Sequence, residues 1–257
     1  MVAELIPLPH ATDDGVSWRA RVGVVVLQSD LTVEPELASL QVPGVGFYHA
    51  RIPNDPEVTP ETLTAMKDRL PDTAALLPAV FDFAAIGYAC TSASTLIGED
   101  VVAEAIHRTH PRVPVTNPVS AAIAAFTSLG ATRVGIVTPY IEEVTLPVIR
   151  LFEAAGIDVP AFGSFLVSED HVVARTTPES ITQGISTVAA AATCDAFFVS
   201  CTSVPLYDHV ESLEAELGRP VVSSNLALGW HLLRLAGVDD TIEGRGTLLR
   251  TGLAGES

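Results

Sequence analysis

Apolar runs of strand length alternate with stretches of helical period along most of the chain. Runs at 21–27 (RVGVVVL), 44–50, 83–89 and 112–117 predict four strands in the first half, and runs at 133–139 (RVGIVTP), 159–165, 195–200 and 219–224 predict four in the second. Helical spacing falls between them, over 60–78, 95–108, 119–130, 143–155, 178–192, 205–217 and 226–236. Strand and helix in alternation give a mainly parallel sheet covered on both faces. The expected class is therefore α/β, with two doubly wound domains of four strands each.

The two halves repeat one another. The offset is 112 residues between Arg21 and Arg133, 111 between Cys90 and Cys201, and 106 between Pro114 and Pro220. Three landmarks in the same order, at nearly the same offset, mark a duplicated domain. Two of the chain's three cysteines head the same tripeptide, Cys-Thr-Ser, at 90–92 and 201–203. Each triplet is expected where a strand ends and a helix begins. Ligands in open parallel sheets bind beyond the carboxyl ends of the strands. Both triplets are thus expected to face one cleft between the halves.

A cysteine ahead of a helix has its thiolate favoured by the helix dipole. The Thr-Ser that follows offers hydroxyl and backbone donors able to hold a carboxylate without arginine or lysine. Two such cysteines on opposite sides of a carbon acid supply a base and an acid, and the same donors stabilise an enediolate. A single cysteine on a strand is more often a small buried residue, the role assigned to Cys194. The symmetric pair is what points to catalysis. Three other readings stand beside it: decarboxylation with Cys201 as the only proton donor, a two-lobed binding protein without catalysis, and a thiol redox protein, the last disfavoured by the lack of a CxxC.

Composition narrows the chemistry. A net charge of −17 with 14 basic residues argues against a nucleic-acid partner. Lys67 is the sole lysine and sits in a helix expected to end at Pro71, which argues against Schiff-base or pyridoxal chemistry. No CxxC or HExxH spacing points to a metal, and His107 and His110 are assigned capping or solvated roles. No glycine-rich nucleotide motif is present, so no cofactor is expected. The N-terminus lacks a basic, apolar leader, and the longest uncharged apolar run is too short to span a bilayer. Three cysteines without a signal point to free thiols in the cytoplasm. The tail 239–257 carries little periodicity and is assigned no role.

The segments CTSASTLIG and SCTSVP, with VVVLQSDLTVEPE, VTPYIEEV and RPVVSSNLALGWHLLRLAG, resemble maleate cis-trans isomerases and arylmalonate decarboxylases of the aspartate/glutamate racemase superfamily. The likeness runs from about Arg21 to Val238. It implies two pseudo-symmetric lobes, 1–119 with 226–257 and 120–225, that exchange crossover helices, and a homo-oligomer, a dimer or larger. It implies Cys90 as nucleophile or base and Cys201 as partner acid, with Thr91, Ser92, Tyr140, Thr202 and Ser203 holding a small carboxylate and Ser29 and Asp30 in the substrate pocket. Arylmalonate decarboxylases have glycine in place of Cys90, so two cysteines favour isomerase or racemase. Maleate isomerases have asparagine in place of Asp30, which favours an amino- or acylamino-acid over maleate. VVVLQSDLTVE, RIPNDPEVTPETLTAM and TPYIE also resemble ectoine-utilisation proteins, which implies a role in breakdown of that solute.

Overall fold

The computed structural model describes residues 3, 5–167 and 169–255. In the first half β1 (Ala20–Leu27), α1 (Val33–Ala38), β2 (Val45–Ile52), α2 (Pro60–Ala74), β3 (Ala85–Ala89), α3 (Thr91–Ile97), α4 (Glu99–His107), β4 (Val115–Thr116) and α5 (Pro118–Leu129) follow in order. The second half runs β5 (Val134–Thr138), α6 (Glu142–Ala154), β6 (Phe162–Ser164), α7 (Asp170–Val173), α8 (Pro178–Ala191), β7 (Ala196–Val199), α9 (Val210–Leu217), β8 (Val221–Ser223) and α10 (Ser224–Leu235). Each half builds one four-stranded sheet, ordered β2-β1-β3-β4 and β6-β5-β7-β8, with every pairing parallel. The identical order is the structural form of the sequence repeat.

Central strands are buried on both faces, as helices on either side require. Val22, Val24, Val25 and Val26 of β1 are all sealed from solvent, as are Val134 and Ile136 of β5. The last helix of each half makes contacts with the other half. Asn117 caps α5 by accepting from the backbone of Val119 and Ser120, and Pro118 occupies the first turn, where its missing N–H costs nothing. Phe126 of α5 then packs with Phe152 of α6 and Phe198 of β7, at ring centroid distances of 6.0 and 6.2 Å. Helix α10 returns to the first sheet, where Leu228 and Leu232 close on Gly87 of β3. A β-carbon at Gly87 would come within 3.1 Å of both leucines, so any side chain there would push the leucine methyls back by a few tenths of an ångström.

Several boundaries differ from those expected. Helix α2 runs through Pro71 to Ala74 instead of ending at the proline, and Lys67 lies on its exposed face. The single helix expected over 95–108 is two, because Gly98 at φ +93° breaks it, and the first begins at Thr91 with Cys90 as its N-cap. After Cys201 the chain makes turns, and α9 starts only at Val210, not at 205. Short α1 and α7 were not foreseen. His107 bonds the Val113 carbonyl at 2.9 Å, but His110 is buried, bonding the Ala74 carbonyl and meeting Phe83 edge-on, rather than solvated. Cys194 is buried and donates weakly to the Ala192 carbonyl. The tail is tied down: Trp230 Nε1 and the Arg234 guanidinium bond the Thr251 carbonyl, and Glu214 accepts from the Thr247 backbone. Among the described residues no helix is long and apolar enough to cross a membrane.

Candidate active site

Strand ends and the loops that leave them build one cavity. Strand β3 delivers Cys90, Thr91 and Ser92; β5 delivers Tyr140; β7 delivers Cys201 and Thr202. All six line the cavity together with Leu27, Asn54, Met66 and Asp170. Ser29, Asp30 and Ser203 are not part of this lining; Ser29 and Ser203 bond Asp170, which is, and Asp30 is buried. The free space is about 20 Å³, room for one water molecule, so the site is closed around its own side chains.

The two cysteines are held by unlike backbones. Cys90 is extended, φ −148°, whereas Cys201 has φ +98°, a left-handed region that L residues other than glycine rarely adopt. The Cys201 N–H is fixed in that turn by donating to Ser224 Oγ at 3.0 Å, and the same oxygen accepts from Thr91 Oγ1 at 2.8 Å. Thr202 Oγ1 donates to the Ala89 carbonyl at 3.4 Å and Thr32 Oγ1 to the Ser203 carbonyl at 2.9 Å. The two triplets are therefore pinned to each other's halves.

Burial disfavours the thiolate at both cysteines. Burial pushes Cys90 up to about 12 and is the main cause, with the charge of Asp170 adding to it. Burial also pushes Cys201 strongly upward, again with Asp170 adding. The helix dipole expected to favour the thiolate at both positions is outweighed by desolvation at Cys90, and no helix starts at Cys201. Each sulfur nonetheless faces donors that would support a thiolate. Cys90 faces the Ala93 N–H and the hydroxyls of Ser92, at 3.7 Å, and Tyr88. Cys201 faces the Tyr140 hydroxyl and the Ser203 N–H. Three free, buried thiols are present and none is bridged.

Carboxylates gather on one side. Asp170, at the start of α7, accepts from Ser29 Oγ at 2.8 Å and from Ser203 Oγ at 3.2 Å. Asp30 Oδ1 accepts from the Thr32 and Val33 backbone at 2.7 and 2.8 Å. Its buried Oδ2 has no hydrogen-bond partner, and burial first, then Asp170, pushes its pKa up to about 6. A further part of the lining comes from the loop after β2, where Asn54, Asp55, Glu57 and Val58 join Thr62, Leu63 and Met66 of α2. Asn54 donates to Ser29 Oγ, which in turn donates to Asp170. Neither this part of the lining nor Asp170 was foreseen. Both lie just beyond expected strands at 44–50 and 159–165, the place where strand-end loops carry ligands. Among the described residues no group of three His, Cys, Asp or Glu side chains is placed to hold a metal ion.

The family model for arylmalonate decarboxylase matches residues 22–249. The chain belongs to the arylmalonate decarboxylase family. Within it, maleate isomerase from Nocardia farcinica is 29% identical over 245 residues, 90% of this chain and 95% of that protein. The solved maleate isomerase of Pseudomonas putida S16, a cysteine-to-alanine variant with maleate, is 27% identical with a TM-score of 0.82, over 91% of this chain and 98% of the other. A cysteine-to-serine variant of the Nocardia farcinica maleate cis-trans isomerase, with a covalently bound succinylcysteine intermediate, superposes with a TM-score of 0.80 at 27% identity, over 90% and 98%. These family members share the two-sheet architecture over essentially their whole length.

Proposed function

We propose that this chain is a cofactor-independent isomerase of the maleate cis-trans isomerase type, acting on a small carboxylate with Cys90 and Cys201 as its catalytic pair. The observation that carries this reading is that both thiols, one from each half, open on the same closed cavity. The substrate carboxylate would accept from the Ser92 and Tyr140 hydroxyls that line the cavity, between Thr91 and Thr202, whose own hydroxyls hold the two triplets in place. As a thiolate, Cys90 adds to a double bond or takes the α-hydrogen, and the electron pair moves toward the bound carboxylate. On the abstraction route Cys201 S–H then delivers a proton from the opposite side and is left as the thiolate, ready for the reverse direction. On the additive route Cys201 protonates the neighbouring carbon and the new single bond rotates. The Cys201 thiolate then takes the proton back as the C–S bond breaks, so the double bond re-forms and Cys90 leaves as the thiolate. The succinylcysteine of the Nocardia farcinica enzyme supports the additive route.

The contacts of Phe126 with the second sheet, and of Leu228 and Leu232 with the first, support lobes of 1–119 with 226–257 and of 120–225. Unbridged thiols suit a reducing compartment such as the cytoplasm. The likeness of VVVLQSDLTVE, RIPNDPEVTPETLTAM and TPYIE to ectoine-utilisation proteins supports a role in compatible-solute breakdown.

The test is solvent hydrogen exchange in deuterated water with a panel of small carboxylates. Exchange at carbon, lost in both Cys90→Ala and Cys201→Ala while the fold is retained, is the expected result. Full activity in either variant would defeat the reading, and a passive binding protein would exchange nothing.

A further inference from the structure

We propose that the Asp170 side of the cavity is a subsite for an ammonium group, so that the enzyme takes small amino carboxylates rather than dicarboxylates. The inference rests on the isomerase reading and deepens it. Asp170 is 7% exposed, and it lines the same cavity as both cysteines. Its two oxygens each accept one hydroxyl, from Ser29 and Ser203, which fixes the carboxylate without neutralising it. No salt bridge reaches it among the described residues. The cavity lining includes Asp55, Glu57 and Asp170 but no arginine, lysine or histidine. Of these acids Asp55 is already paired, to Arg69 at 2.9 Å.

Asp30 supplies an independent observation. It is 2% exposed and lies against Thr202 and Asp170, and its Oδ2 receives no well-formed hydrogen bond, only the weak approach of the Thr202 hydroxyl. The nearby Thr202 hydroxyl donates to the Ala89 carbonyl instead. A buried carboxylate oxygen without a well-formed hydrogen bond is costly to maintain unless a cation arrives nearby. One carboxylate facing the substrate, backed by another that shares its field, repels a second substrate carboxylate and attracts an ammonium. The hydroxyls of Ser92 and Tyr140 remain for the single carboxylate.

The same charge links binding to chemistry. Asp170 opposes thiolate formation at both Cys90 and Cys201. An ammonium seated on Asp170 cancels that opposition, so the substrate itself eases the proton from the thiol. A dicarboxylate would strengthen it.

Calorimetric titration of the full chain with two length-matched pairs tests the subsite: β-alanine against succinate and γ-aminobutyrate against glutarate. Amino carboxylates should bind about ten-fold or more tighter than their dicarboxylate partners. Asp170→Asn should narrow or invert that ratio, and ultraviolet titration of the thiolates should show them forming at lower pH. Equal binding of the matched pairs to the wild type overturns the subsite without recourse to any variant, as does an Asp170→Asn protein that loses both classes alike. Because calorimetry needs no turnover, the two readings fail separately. Selective amino-carboxylate binding without hydrogen exchange removes the isomerase and keeps the subsite. Cysteine-dependent isomerisation of maleate with no amino preference does the reverse.

Discussion

Thr91 donates to Ser224 through a hydroxyl–hydroxyl bond of 2.8 Å, joining the first residue of α3 to the first residue of α10. Ser224 Oγ also receives the Cys201 N–H. One oxygen therefore sets the position of both triplets relative to each other.

Ser224→Ala should leave two buried donors without an acceptor, each costing about 1–3 kcal/mol. Denaturant unfolding is expected to show a loss of about 2 kcal/mol or more. With the geometry of the pair loosened, kcat should fall more than KM rises, which steady-state kinetics would read directly.

Cys201 at φ +98° stores backbone strain that a sulfur-bearing residue endures for the sake of where it points. Cys201→Gly should therefore be more stable than Cys201→Ala by about 1 kcal/mol, although glycine is ordinarily the less stable choice. Neither variant should turn over substrate. Paired thermal melts and activity assays check both halves of the expectation.

Legibility in the sequence follows element length. The strands of both sheets have apolar runs that no other arrangement buries, and the duplicated Cys-Thr-Ser triplets mark where the strands end. Helix α1 has six residues and α7 four, less than two turns, so neither shows a period that can be told from a loop. Asp170 was hidden for that reason: it sits on α7, and its partners Ser29 and Ser203 are 141 and 33 residues away. The proline at 71 was read as a stop, yet its missing N–H releases only the carbonyl of exposed Lys67, which water can satisfy. At the cysteines the dipole of α3 is local and visible in sequence, whereas the desolvation that outweighs it at Cys90 depends on the whole cavity.

Stability should fall as pH rises from about 4 to 7. Burial first pushes Glu36 up to about 7 despite its bonds from the Leu206 and Tyr207 N–H groups and Asn225, and pushes Asp30 up to about 6. Both folded values lie above the unfolded ones. The folded state therefore binds more protons in this window, and the stability these groups contribute is present at low pH and lost as each ionises. The melting temperature should drop by a few degrees between pH 5 and pH 8, and Asp30→Asn should flatten the lower part of that slope. Asn keeps an oxygen for the Thr32 and Val33 N–H groups, so the fold itself should survive.

Tyr88 offers a test that separates packing from chemistry. Its ring is fully buried and its hydroxyl finds no nitrogen or oxygen partner; what it faces is the Cys90 thiol, whose pKa it helps to hold down. A hydroxyl with no such partner contributes little to folding, so Tyr88→Phe should change stability by less than about 1 kcal/mol. The effect should fall on the thiol instead. With that donor gone, the Cys90 thiolate forms at higher pH, and the acid limb of kcat/KM should move upward in step. A shifted limb with an unshifted melting temperature ties the hydroxyl to the sulfur, because a purely structural role would move the second and leave the first.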